Sequence, residues 1–108
     1  MEHVCLHLLK QALLIGAQEL DALNSGLTEQ ASACEEERSR LTQQAIALSG
    51  DVPLDILQVE FQNLCDMQKR LTLAGNALRQ SQQKELLRAR EESRRLAGYR
   101  QAAAHALH

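Results

Sequence analysis

The sequence predicts an all-α fold in which two long antiparallel helices form a coiled-coil-like hairpin, and three observations carry that expectation. Helix-favouring residues (Ala, Leu, Glu, Gln, Arg) dominate the 108 residues, while the aromatics are reduced to Phe61 and Tyr99 and the prolines to Pro53. Leucines recur every seven residues over long stretches. A single strong cluster of turn residues, Ser49-Gly50-Asp51-Val52-Pro53, interrupts the middle of the chain. The few β-branched residues never alternate with polar ones over a strand's length, which argues against a sheet. At this length there is room for one core, so residues 1–108 are expected to form a single helical-hairpin domain.

The first helix is expected over residues 3–48. Its seam is read from Leu6, Leu13, Leu20, Leu27, Cys34, Leu41 and Leu48, accompanied by Leu9, Ala17, Leu23, Ala31 and Ala45. Gly50 suits a helix C-terminus, Asp51 can cap the helix that follows, and Pro53 is tolerated in its first turn. The second helix is expected over residues 52–106, with Leu57, Leu64, Leu71 and Leu78 repeating beside Leu54, Phe61 and Ala74. A polar run from Arg79 to Glu85 breaks that stripe, which resumes in a new register as Leu86, Ala89, Ser93, Leu96, Tyr99 and Ala103. Reversal near Asp51 would set residues whose numbers sum to about 102 opposite each other, Leu41 against Phe61 and Leu64, and Leu6 against Leu96. Gly26 and Gly75 would share a level and allow close approach. The alternative at Asn24-Ser25-Gly26 is a break that divides the first helix into two.

A two-helix hairpin buries one stripe per helix, and this chain has apolar residues left over. Around Leu6, Leu9 and Leu13 lie Val4, Cys5, Leu8, Ala12, Leu14 and Ile15, and a second rich patch runs from Leu86 to Leu107. Each leucine buried is worth about 1.5–3 kcal/mol, so the surplus favours a partner helix or a homodimeric bundle. The expected partner-binding residues are Leu86, Leu87, Ala89, Leu96, Tyr99 and Ala103, with Leu8 and Ile15 from the first helix. Tyr99, one large ring with one hydroxyl, is the expected anchor.

Catalytic and metal-binding signals are weak. A formal charge of −2 removes the electrostatic argument for a nucleic-acid binder. The basic run from Lys84 to Arg100 is interrupted by Glu85, Glu91 and Glu92 and has no aromatic rings interleaved for base stacking. Cys5, Cys34 and Cys65 are widely spaced and form no C-x-x-C pair, so they read as small buried or half-buried residues of a reducing compartment. His3 and His7 are one turn apart but lack a third metal ligand, and neither a metal nor a cofactor is expected. Glu35-Glu36-Glu37 with Arg38 and Arg40 reads as a solvated face, with Glu36 and Arg40 spaced for an ion pair. Lys10 interrupts the apolar stretch from Val4 to Ile15 well short of a membrane span, and Glu2 and His3 stand where a signal peptide carries positive charge, so a cytoplasmic protein is expected. His7-Leu8-Leu9-Lys10-Gln11 resembles the H-x-x-K-G core of histidine phosphotransfer domains, with Gln11 in place of the glycine. No nucleophile with its base is evident, and a non-enzymatic protein is expected.

Two further segments carry a family resemblance: Glu19-Leu20-Asp21-Ala22-Leu23-Asn24-Ser25-Gly26-Leu27, followed by Glu36-Glu37-Arg38-Ser39-Arg40-Leu41. With Asn76, Leu78, Leu86, Leu87, Leu96 and Tyr99, they resemble the flagellar type III export chaperones of the FlgN and FliT kind. Leu27 replaces the acidic residue usual after the glycine. The resemblance implies a cytoplasmic chaperone that holds the C-terminal helix of a late substrate, a hook-filament junction or cap protein, and prevents premature assembly. The structural alternative is a coiled-coil adaptor or stalk of a secretion apparatus.

Overall fold

The computed structural model describes residues 3–106. Glu2 and Leu107, which entered the reading above, lie outside the described residues, as do Met1 and His108. The chain is all-α, with three helices: α1 (Val4–Asn24), α2 (Thr28–Ala47) and α3 (Leu54–Ala106). It divides into two compact units, Met1–Asn76 and Ala77–His108.

The expected first helix is therefore two helices, and the backbone at Gly26 gives the reason. Gly26 has φ 72°, the only positive φ among the described residues. Its N–H donates to the Leu23 carbonyl at 3.2 Å, and the Leu27 N–H donates to the Ala22 carbonyl at 2.8 Å. These paired bonds form a Schellman motif, which satisfies the last carbonyls of α1 and turns the chain where an L-residue would be strained. Leu27 then accepts from the Ala31 N–H at 3.0 Å and opens α2. At the second turn the glycine is not left-handed. There the Ser49 hydroxyl donates to the Ile46 carbonyl at 2.7 Å, and the Val52 N–H donates to the Ser49 carbonyl. Pro53, whose missing N–H is harmless at a helix start, offers its carbonyl to Leu57.

Within Met1–Asn76 the three helices run alternately up, down and up. The core joins Cys5 and Leu9 of α1 to Ala45 of α2, Val52 of the turn and Leu57 of α3. Leu6, Leu8, Phe61 and Leu64 pack against it, so Leu6 belongs to this cluster, and Leu96, its expected opposite, is exposed. The expected level-matching holds between α2 and α3, where Ala45 joins Leu57 and Arg38 bonds Gln68.

The seam of α1 is one residue away from the leucine heptad. Its buried residues are Cys5, Leu9, Ala12, Gly16, Glu19 and Ala22, whereas Leu6, Leu13 and Leu20 are half-buried at its edge, and Leu27 and Leu48 are exposed. A helix with two neighbours has two contact faces, and small residues between them let all three backbones approach. Among the glycines the closest neighbour is at Gly16, where a Cβ would lie 2.8 Å from Met67 Cγ; nothing lies within 4 Å of a Cβ built at Gly26 or Gly75. The α2 seam (Ala31, Leu41, Ala45) and the α3 seam (Leu57, Leu71) follow the sequence pattern, although Leu54 is exposed.

Arg38 ties the three helices together. Its Nε donates to Glu19 Oε1 at 2.9 Å, its Nη2 to Glu19 Oε2 at 3.5 Å and its Nη1 to Gln68 Oε1 at 3.0 Å. The side chains of Arg38 and Glu19 are 15% and 7% exposed, so this run of charges is only partly a solvated face. The exposed pair in α2 is Glu37 with Arg40, three residues apart, in place of Glu36 with Arg40. Its hydrogen bond from Arg40 holds the Glu37 carboxyl below the usual range.

Removing one partner of a buried ion pair leaves the other charged and unpaired. Glu19→Ala is expected to lower unfolding free energy by about 2–3 kcal/mol in urea titration. The double variant Glu19→Leu/Arg38→Met should lose less than either single variant, and simple additivity of the losses would contradict the pairing. By the same assay, Gly26→Ala should destabilise by about 1–2 kcal/mol through its φ and Gly16→Leu by about 1–3 kcal/mol through overpacking. Gly75→Ala, with open space around it, should stabilise by about 0.5–1 kcal/mol.

Candidate protein-binding face on the last helix

From Arg79 to Ala106, every residue of α3 is exposed. Helix is what this composition favours even without packing, because Ala, Leu, Arg, Glu and Gln make up most of it. Four large apolar side chains stand in the open: Leu86 at 53%, Leu87 at 57%, Leu96 at 57% and Tyr99 at 72% exposed. Ala89 and Ala103 are exposed beside them.

At 100° per residue these positions do not scatter evenly. Leu86, Ser93 and Arg100 form one line at seven-residue spacing, and Ala89, Leu96 and Ala103 form the line next to it. Tyr99 lies at one border of this stripe, with Glu85 and Glu92 on the same side. Arg90 lies along the other border, and Leu87 and Arg94 share a line that points farther from the stripe. The face is therefore narrow, with two leucines, small residues between them and charge at both edges.

Leu8 and Ile15 belong to the other unit. Leu8 packs against the core cluster and Ile15 is half-buried, so most of the apolar surplus of α1 is consumed by the three-helix packing. Val4 and Leu14 remain exposed, at 61% and 66%. Two open grooves also mark Met1–Asn76. One lies beside the α1–α2 turn, between Gln18, Asp21, Leu27 and Cys34; the other lies between Leu13 of α1 and Asn63, Met67 and Arg70 of α3.

The groups that could carry other chemistry are dispersed. His7 is exposed near the start of α1, with Lys10 also exposed one turn on. Among the described residues, no three His, Cys, Asp or Glu side chains are grouped to hold a metal ion. Among the described residues no helix is long and apolar enough to cross a membrane. The cysteines occupy three environments: Cys5 is buried, Cys34 half-buried and Cys65 exposed. The exposed Cys65 departs from the expectation of three sheltered thiols. Burial pushes the Cys5 thiol up, which suppresses its reactive thiolate. A chromogenic disulfide reagent at neutral pH is accordingly expected to titrate Cys65 first, Cys34 more slowly and Cys5 only on unfolding. Rapid modification of Cys5 in the folded chain would contradict the packing of the α1 seam.

No family model matches the chain, and it matches no curated protein and no solved structure.

Proposed function

We propose that this chain works stoichiometrically, by holding an amphipathic helix of another protein. In its narrower form it is a cytoplasmic chaperone of the flagellar type III export kind, and its cargo is the C-terminal helix of a hook-filament junction or cap protein. The observation that carries the reading is the exposure of Leu86, Leu96 and Tyr99 along one side of an uninterrupted helix. Helix-on-helix recognition needs such a stripe, and burial of each leucine in a complex contributes about 1.5–3 kcal/mol. The resemblance of Glu19–Leu27 and Glu36–Leu41 to the FlgN and FliT chaperones supports the narrower form.

The mechanism needs no turnover and no cofactor. A cargo helix that drives self-assembly is sticky because its apolar face is unpaired, and covering that face removes the nucleus for polymerisation. Release follows when a component of the export apparatus competes for the same surface or for the chaperone's bound state. A second reading, a coiled-coil adaptor, draws support from the 53 uninterrupted residues of α3.

Titrating the full chain with terminal helical peptides free of Tyr and Trp separates the two. Holding predicts a one-to-one gain in hydrodynamic mass and a change in the emission of Tyr99, the chain's single tyrosine. It also predicts binding at least about tenfold weaker in Leu96→Glu. Unchanged mass and emission, with Leu96→Glu altering only self-association, would leave the adaptor.

A further inference from the structure

We infer that a second copy of this chain docks by charge, the back of α3 in one copy against α2 in the other, with the apolar stripe left free. Charge is polarised along the sequence: Ala77–His108 has seven basic and three acidic residues, Met1–Asn76 five basic and eleven acidic. At 100° per residue, Lys84, Arg88, Arg94 and Arg95 fall on the side of α3 turned away from the stripe, with Glu91 as the one carboxylate among them. All four cations are exposed, and the two ion pairs among the described residues both lie in Met1–Asn76. This side presents uncompensated positive charge to whatever meets it.

The matching surface is on α2. Both of its cations are engaged, Arg38 by Glu19 and Arg40 by Glu37. Glu29, Glu35 and Glu36 are exposed and take no part in either pair. Glu29 and Glu36 lie one heptad apart on one line of α2, about 10.5 Å along its axis, and Arg88 and Arg95 have the same separation on one line of α3. Laid side by side, the two lines meet carboxylate to guanidinium at both levels, whether the helices run parallel or antiparallel. Exposed pairs are individually weak, so the contact is expected to be salt-sensitive and to need several pairs at once. None of the residues proposed to hold a foreign helix takes part, so this contact is independent of that function.

Sedimentation of the full chain tests it. At about 0.01 M salt, where charges act over about 30 Å, the average mass should rise with concentration, and at about 1 M salt it should fall to that of the single chain. Arg88→Glu/Arg95→Glu and Glu29→Lys/Glu36→Lys, each with helicity checked by circular dichroism, should each self-associate at least about tenfold more weakly. An equimolar mixture of the two should associate again, because each then meets opposite charge. Lys10→Glu/Lys69→Glu, with the same net charge as the first variant, and Leu96→Glu should both associate as the parent chain does. A chain that stays single at low salt, reversals that leave association intact, or a mixture that fails to recover it would each overturn the inference. Loss in Lys10→Glu/Lys69→Glu would overturn it too, since net charge alone would then decide, as would loss in Leu96→Glu, since the stripe would then join the copies.

Discussion

The reversal at Gly26 is the constraint on which the rest of Met1–Asn76 depends. A left-handed residue there closes the Ala22 and Leu23 carbonyls with hydrogen bonds and sends α2 back along α1. Each helix then has two neighbours instead of one. The contact surface needed per helix rises, and the apolar residues of α1 that seemed surplus to a two-helix hairpin find cover. Leu6, Leu8 and Phe61 around the Cys5–Leu9–Ala45 cluster are the result. The requirement for close backbones in turn explains why Ala12, Gly16 and Ala22 share the α1 seam with a single leucine, Leu9.

The all-α class, the turn at 49–53 and the seams of α2 and α3 were legible in the sequence because hydrophobic period and turn residues agree there, whereas the hairpin of two helices was not. The α1 seam was not. Leu6, Leu13 and Leu20 advertise a heptad by their size, whereas the buried line Cys5–Ala12–Glu19 contains a charge and two small residues that a hydrophobicity pattern scores low. Asn24-Ser25-Gly26 suggested a break without deciding it, since glycine is tolerated within helices at about 1 kcal/mol. Gly75 illustrates the tolerant case, lying inside α3. The exposed stripe on α3 was legible as Leu86, Leu96 and Tyr99. Leu8 packs against the core cluster and Ile15 is half-buried, shelter that the hairpin scheme did not foresee.

Glu19 shows why the polar pattern misled as much as the apolar one. A carboxylate on the buried line is unfavourable unless a cation meets it, and Arg38 meets it with two guanidinium nitrogens while holding Gln68 with a third. Such a pair adds little net stability over a well-packed apolar substitute. Its value lies in discrimination: sliding α2 by one turn along α1 would separate the charges and leave both dry. The Leu-rich edges alone tolerate that slide, so the ion pair fixes a level that the greasy contacts leave loose.

The two units differ in how their helices are held. In Met1–Asn76, packing overrides local preference and can afford Gly16 in mid-helix; in residues 79–106, with every side chain exposed, local preference must suffice. Alanines, arginines and glutamates supply that preference, yet the same choice keeps the stripe shallow: Ala89 and Ser93 add little apolar area between Leu86 and Leu96, and Ala103 little beyond them. A shallow stripe binds weakly to another shallow stripe and better to a face with large side chains that reach down between its leucines. The small residues set the distance of approach, and the edges differ in charge, with Glu85 and Glu92 on one side and Arg90 on the other. A helix built this way rests on local preference for its form and gains little apolar burial by pairing with a copy of itself, which is why the proposed reading gives the stripe to a foreign helix.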